Sequence, residues 1–98
     1  MPSSHPIPGS LWLDEQPADE RDRLWETDPE CAGRVEDALD LIDTEPTSAE
    51  ATRRKIRRLA GGPLNAVDVR CRDCDLQILW EHEPDGTIVV RYLGEPVL

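Results

Sequence analysis

The stretch "AVDVRCRDCDLQILWEHEPDGTIVVRY", residues 66 to 92, alternates apolar and polar side chains, whereas the stretch before it repeats its apolar residues every three to four positions. This change of period constrains the fold most, because a two-residue repeat buries one face of a strand and a 3.6-residue repeat buries one stripe of a helix. In "AVDVRC", Val67, Val69 and Cys71 fall on one side, with Asp68 and Arg70 on the other. "RDCD" reads as a turn. "LQILWEH" then sets Leu76, Ile78 and Trp80 against Gln77, Leu79 and Glu81, and "EPDG" makes a tight turn in which Gly86 supplies positive φ. "TIVVRYL" is apolar on both faces, as a strand in the sheet interior requires. The three runs predict an antiparallel meander with helices on one face.

Upstream, "SLWL" is compatible with a short first strand, and "QPADERDRLWE" spaces Ala18, Arg21, Leu24 and Trp25 as a helix does. "TDPECAGRVEDALDLID" has Thr27 and Glu30 at capping-box spacing and a proline in the first turn, where its missing N–H costs nothing. Cys31, Val35, Ala38, Leu39 and Ile42 form its apolar stripe. Thr47 and Glu50 repeat the capping spacing, and Ala49, Thr52, Ile56 and Leu59 predict a further helix that "AGGP" stops. The expected class is therefore α+β: a short first strand, two to three helices, then a three-stranded antiparallel meander. With three prolines and few apolar side chains, residues 1–10 read as a flexible tail, and residues 11–98 as a single domain.

Charge narrows the partners. The chain carries 21 acidic and 11 basic side chains, a net charge of -10, which disfavours free nucleic acid and anionic membranes. Residues 1–52 hold fourteen carboxylates and three arginines, but "RRKIRR" at 53–58 holds five cations and no acid. Arg53, Arg54, Lys55, Arg57 and Arg58 thus form a basic island on the expected third helix. Such a cluster either faces water or docks an acidic peptide or phosphate. No apolar run is long enough to span a bilayer, and "MPSSHPIPGS" lacks the parts of a signal peptide, so a cytoplasmic location is expected.

The segment "RRLAGGPLNAVDVRCRDCDLQILWEHEPDGTIVVRYLGE" resembles the C-terminal half of the RelE/ParE toxin superfamily. The likeness lies in Arg58-Leu59-Ala60-Gly61, Ile78-Leu79-Trp80, Asp85-Gly86 and Leu93-Gly94, and extends over roughly residues 10 to 95. It implies a toxin of a toxin-antitoxin pair, with an antitoxin-like protein as partner and the ribosome or gyrase as target. The ribosome-dependent members are mRNA endonucleases, and attack by a 2′-OH needs a base, an acid and cations on the phosphorane. By that resemblance the catalytic candidates are Arg70 and Arg91 as phosphate contacts and His82 as proton shuttle. The family's other basic positions fall on Asp68, Gln77 and Glu95 or Pro96. The expectation is a toxin-type protein acting mainly by protein binding along the basic helix, the endonuclease being the alternative.

A third reading is a small zinc-binding interaction domain. Cys71 and Cys74 form a C-x-x-C pair, half of a zinc knuckle, with Cys31, His5 and His82 as the remaining candidate ligands and no second close pair. The favoured reading makes Cys31 and Cys71 small core residues and Cys74 a turn residue, with no metal and no cofactor. Three cysteines without an export signal are expected to be reduced thiols.

Overall fold

In the computed structural model, which describes residues 11–52, 54–57 and 61–97, the meander forms as the alternation requires. The elements run β1 (Leu11–Leu13), α1 (Glu15–Thr27), α2 (Pro29–Thr44), α3 (Ala49–Thr52), β2 (Arg54–Ile56), β3 (Leu64–Arg70), β4 (Asp75–His82) and β5 (Ile88–Gly94). They make one sheet in the order β1-β5-β4-β3-β2. Strands β2 to β5 pair antiparallel with their neighbours, and β1 adds parallel to β5. A parallel neighbour needs a crossover rather than a tight turn, and α1 and α2 lie in that connection. The β4–β5 turn is closed by Glu83 N–H donating to Thr87 O at 2.7 Å, with Gly86 at φ 92°. There the Asp85 carboxylate accepts from Thr87 N–H (2.9 Å), which holds its pKa below the usual value.

The inner face carries the core. Val67, Val69, Leu76, Ile78, Ile88 and Val90, the residues the alternation turns inward, are all buried. They pack with Trp80 and Leu93 against Leu24 of α1 and Cys31, Val35, Leu39 and Ile42 of α2. The Trp80 indole N–H, fully enclosed, donates to the Ala51 carbonyl of α3 at 3.1 Å, so the largest core side chain keeps its polar atom satisfied. Arg21 of α1 grips Glu36 of α2 through two hydrogen bonds, the second 3.0 Å long, and this partner raises the Arg21 pKa. Beyond the end of β1, the Gln16 side chain takes a strand's place, donating to Leu93 O at 2.7 Å and accepting from Leu93 N–H at 3.0 Å.

Three sequence expectations are corrected. The helix expected from Thr47 to Leu59 stops at Thr52, and Arg54–Ile56 form a fifth strand paired with Leu64–Ala66. Its apolar stripe was too narrow to repay burial, and only Ala51 of α3 reaches the core, whereas β3 offers an open edge with ladder hydrogen bonds. Both caps fall one residue later than their expected positions. Asp28 accepts from Cys31 N–H at 3.2 Å, and Ser48 accepts from Ala51 N–H at 3.2 Å, while Thr27 donates back to Arg23 O. The cysteines are not all reduced: Cys31 and Cys71 form a disulfide. The helix packing sets their Cα atoms 5.4 Å apart, well within bridging range. Residues 1–10, read as a flexible tail, lie outside the described residues. No helix among the described residues is long and apolar enough to cross a membrane.

Ile78 is fully enclosed at the centre of this core. Ile78→Asp would bury an unpaired carboxylate at a cost of several kcal/mol, against a total stability of about 5–15 kcal/mol for a domain. The variant should lose its cooperative melting transition in a thermal scan followed by circular dichroism.

Candidate functional site

The residues first singled out by sequence are not gathered at one place. Arg70 ends β3 opposite Asp75, and its carbonyl accepts from Arg34 Nη1 at 3.3 Å. His82 ends β4 at the other extremity, edge-on to Trp80 with ring centroids 5.4 Å apart. Seven residue steps along the strand separate Asp75 from His82, about 23 Å at the usual rise, so Arg70 and His82 cannot share one phosphate.

Arg91 occupies a β-bulge. Leu79 pairs with Tyr92 and Trp80 with Val90, which leaves Arg91 without an opposite residue on β4. The bulge turns the guanidinium onto the outer face, where it meets three carboxylates: Glu81 at 2.7 Å, Asp14 at 3.1 Å and Glu83 at 3.3 Å. The hydrogen bond to Glu81 and then the bond and charge of Asp14 raise its pKa further above the ordinary arginine value. All three of its guanidinium nitrogens therefore donate to the protein's own acids. The cluster ties the end of β1 to β4 and β5, a pairing that no spacing in the sequence marks.

The remaining outer face is internally matched. Gln77 is fully buried although it points away from the helices. Its amide nitrogen donates to Asp68 at 3.0 Å, and its oxygen accepts from Val97 N–H at 3.0 Å. Asp68 also holds Arg54 of β2 in an ion pair. The C-terminal segment turns back over this face, with the Tyr92 hydroxyl donating to Glu95 O at 2.7 Å. Tyr92 lies so close to Gly94 that a β-carbon there would come within 2.6 Å of the hydroxyl oxygen. A hollow of about 180 Å³ beside Arg54 is lined by Glu50, Ala66, Val67 and Asp68.

Of the basic island, Arg53 and Arg58 lie outside the described residues. Arg54 and Lys55 are exposed on β2 and Arg57 follows it. Lys55 donates to the neutral Asn65 amide oxygen, so its charge is not offset by that contact. Among the described residues the strand is an edge, with β3 its only neighbour in the sheet order.

The structure does assemble one cluster of chemically distinctive side chains that the sequence reading had separated. Cys31 sits in the first turn of α2, three residues after its cap Asp28, and Cys71 and Cys74 flank the β3–β4 turn. Cys71 N–H donates to Cys74 O at 2.9 Å. All three sulfur atoms lie within 4.8 Å of one another. Cys31 is buried, Cys71 half-buried and Cys74 an exposed free thiol. The C-x-x-C pair and Cys31 were both candidates in the sequence, but the place of Cys31 near the start of an amphipathic helix says nothing about the turn it reaches.

No protein-family model, no curated protein and no solved structure matches the chain.

Two variants separate the roles of these features. The Cys31–Cys71 bridge spans 40 residues and joins helix to sheet, so its loss should cost about 2–4 kcal/mol. Cys31→Ser should lower the melting temperature of the oxidised protein by about 10 °C or more in calorimetry. Gln77→Leu strands the Val97 N–H and one Asp68 oxygen, at about 1–3 kcal/mol. Hydrogen exchange should then show the Val97 amide losing its protection.

Proposed function

We propose that this protein is a toxin-type member of the RelE/ParE superfamily that works by holding a protein partner, and that the partner docks on edge strand β2. The order of elements supports the superfamily reading: a short first strand, a helical crossover, then an antiparallel meander whose last strand receives the first in parallel. Binding rather than RNA cleavage is supported by the state of the cations. Phosphoryl chemistry on RNA needs uncommitted positive charge where the phosphorane forms. Arg91 is committed to three carboxylates, and the other two candidates, Arg70 and His82, stand at opposite ends of β4.

The observation that carries the docking surface is the basic edge strand in an acidic protein. Edge strands expose unpaired backbone groups, and an extended peptide can add to them as one more strand. Lys55 and Arg57 at that edge attract an acidic segment locally, while the net charge of -10 repels a long polyanion at a distance. The fitting occupant is an acidic, extended segment of an antitoxin-like protein. This moves the docking element from the basic helix expected by sequence to a strand.

Induced expression should arrest growth, and co-expression of the neighbouring open reading frame should relieve the arrest. Lys55→Glu combined with Arg57→Glu should abolish complex formation with that product in isothermal titration, with folding unchanged. Arg70→Ala and His82→Ala should bind as the wild type does. Absence of arrest together with absence of a complex would overturn the reading. Cleavage of mRNA on translating ribosomes by the wild type, lost in Arg70→Ala, would show catalysis instead of binding.

A further inference from the structure

We infer that Cys31, Cys71 and Cys74, when reduced, form a three-thiolate site for a borderline-soft divalent cation of the zinc class. Three thiolates around one tetrahedral zinc ion, each about 2.3 Å from it, stand about 3.8 Å apart. The three sulfurs here lie within 4.8 Å of one another, so once the disulfide is reduced the Cys31 and Cys71 sulfurs need part by only about 2 Å and Cys74 close by about an ångström. They come from two rigid supports. The first turn of α2 holds Cys31, and the hairpin turn, closed by the bond from Cys71 N–H to Cys74 O, presents the other two.

The third cysteine distinguishes this reading from a structural disulfide. A bridge between helix and sheet uses Cys31 and Cys71 and leaves no role for a further thiol at the same point. Internal exchange gives Cys74 no role either. Attack of its thiolate on Cys71 would form a Cys71–Cys74 bond and release the Cys31 thiolate. That replaces a bridge spanning 40 residues with one across a four-residue turn, which constrains the unfolded chain far less. A metal ion uses all three sulfurs at once.

The surroundings suit thiolates. Cys31 lies in the first helical turn, where the dipole stabilises negative charge, and Arg34 lies one turn further along α2 with its guanidinium on the Arg70 carbonyl. Arg70 and Arg72 flank Cys71, while Asp73 and Asp75 flank Cys74. Metal binding requires deprotonated ligands, which the helix N-terminus favours at Cys31. No fourth His, Cys, Asp or Glu joins the cluster among the described residues, and Cys74 is exposed, so the remaining coordination position opens to solvent. The expectation of metal-free cysteines rested on Cys31 lying on the apolar helix stripe and on the lack of a second close ligand pair, and the fold brings Cys31 beside the C-x-x-C pair.

The full chain, reduced with a phosphine under argon, is titrated with Co²⁺ and then with Zn²⁺. Binding of one equivalent of Co²⁺ should produce sulfur-to-cobalt charge-transfer and tetrahedral visible bands, which Zn²⁺ abolishes. Zn²⁺ should also raise the melting temperature of the reduced protein, and the disulfide-bonded form should show neither response. Cys74→Ser keeps the Cys31–Cys71 bridge and should melt as the wild type does when oxidised. When reduced, it should bind Co²⁺ roughly tenfold more weakly or worse, with weaker charge-transfer bands. Reduced wild type that binds neither ion at micromolar concentration, or reduced Cys74→Ser that binds as well as wild type, would overturn the assignment.

Discussion

Strand β4 is enclosed on both faces, and most of the polar architecture answers that condition. Leu76 to Trp80 are buried consecutively, so alternate residues cannot be shed to solvent as they are in a one-sided sheet. On the helix side the answer is apolar, with Trp80 closing its single donor on Ala51. On the other side no helix among the described residues packs, and the cover comes from Ile56 and Tyr92 packed on Leu64, Ala66 and Leu79, and from the returning C-terminal segment. Gln77, buried beneath that cover, needs partners for both ends of its amide. Asp68 and Val97 provide them, which fixes Asp68 as a structural acceptor and Arg54 as its counter-charge.

The same enclosure bears on where cations are free to act. A face that performs RNA chemistry must leave its arginines directed outward, yet the bulge at Arg91 points this guanidinium at Asp14, Glu81 and Glu83. A guanidinium with three acidic neighbours contributes geometry to the joint of β1, β4 and β5 rather than charge to a ligand. The exposed cations Lys55 and Arg57 stand instead at the rim, on and just after β2, where the partner segment is proposed to dock.

How legible this was depended on whether the signal was local. Strands β3, β4 and β5 followed from the alternation in residues 66–92, and α2 from the stripe of Cys31, Val35, Leu39 and Ile42, because each pattern reports one element against one core. The segment after Thr47 failed because helix and edge strand compete there on small margins. Three cations in the short stretch Arg54 to Arg57 gain little from either state, and the open edge of β3 decides between them. Bulges leave no mark on composition, so the fate of Arg91 was invisible. Gln77 was legible as an outward residue but not as a buried one, since the returning C-terminal segment that covers it is not specified by the strand that carries it.

The cysteines show a different kind of illegibility. An odd count of cysteines argued for reduced thiols, and the C-x-x-C pair argued only for half a site, because both arguments count along the chain. The crossover from β1 to the meander is what carries the first turn of α2 to the β3–β4 turn, and that placement depends on long-range packing of α2, with Val35, Leu39 and Ile42 in the shared core, against β3. Two sulfurs at that meeting point suffice for a covalent bridge. A third, exposed and held by the backbone of the turn, adds nothing to the bridge, and so the odd count becomes the informative quantity: it matches a centre with three protein ligands and one open position, which neither a disulfide nor a buried apolar cysteine accounts for.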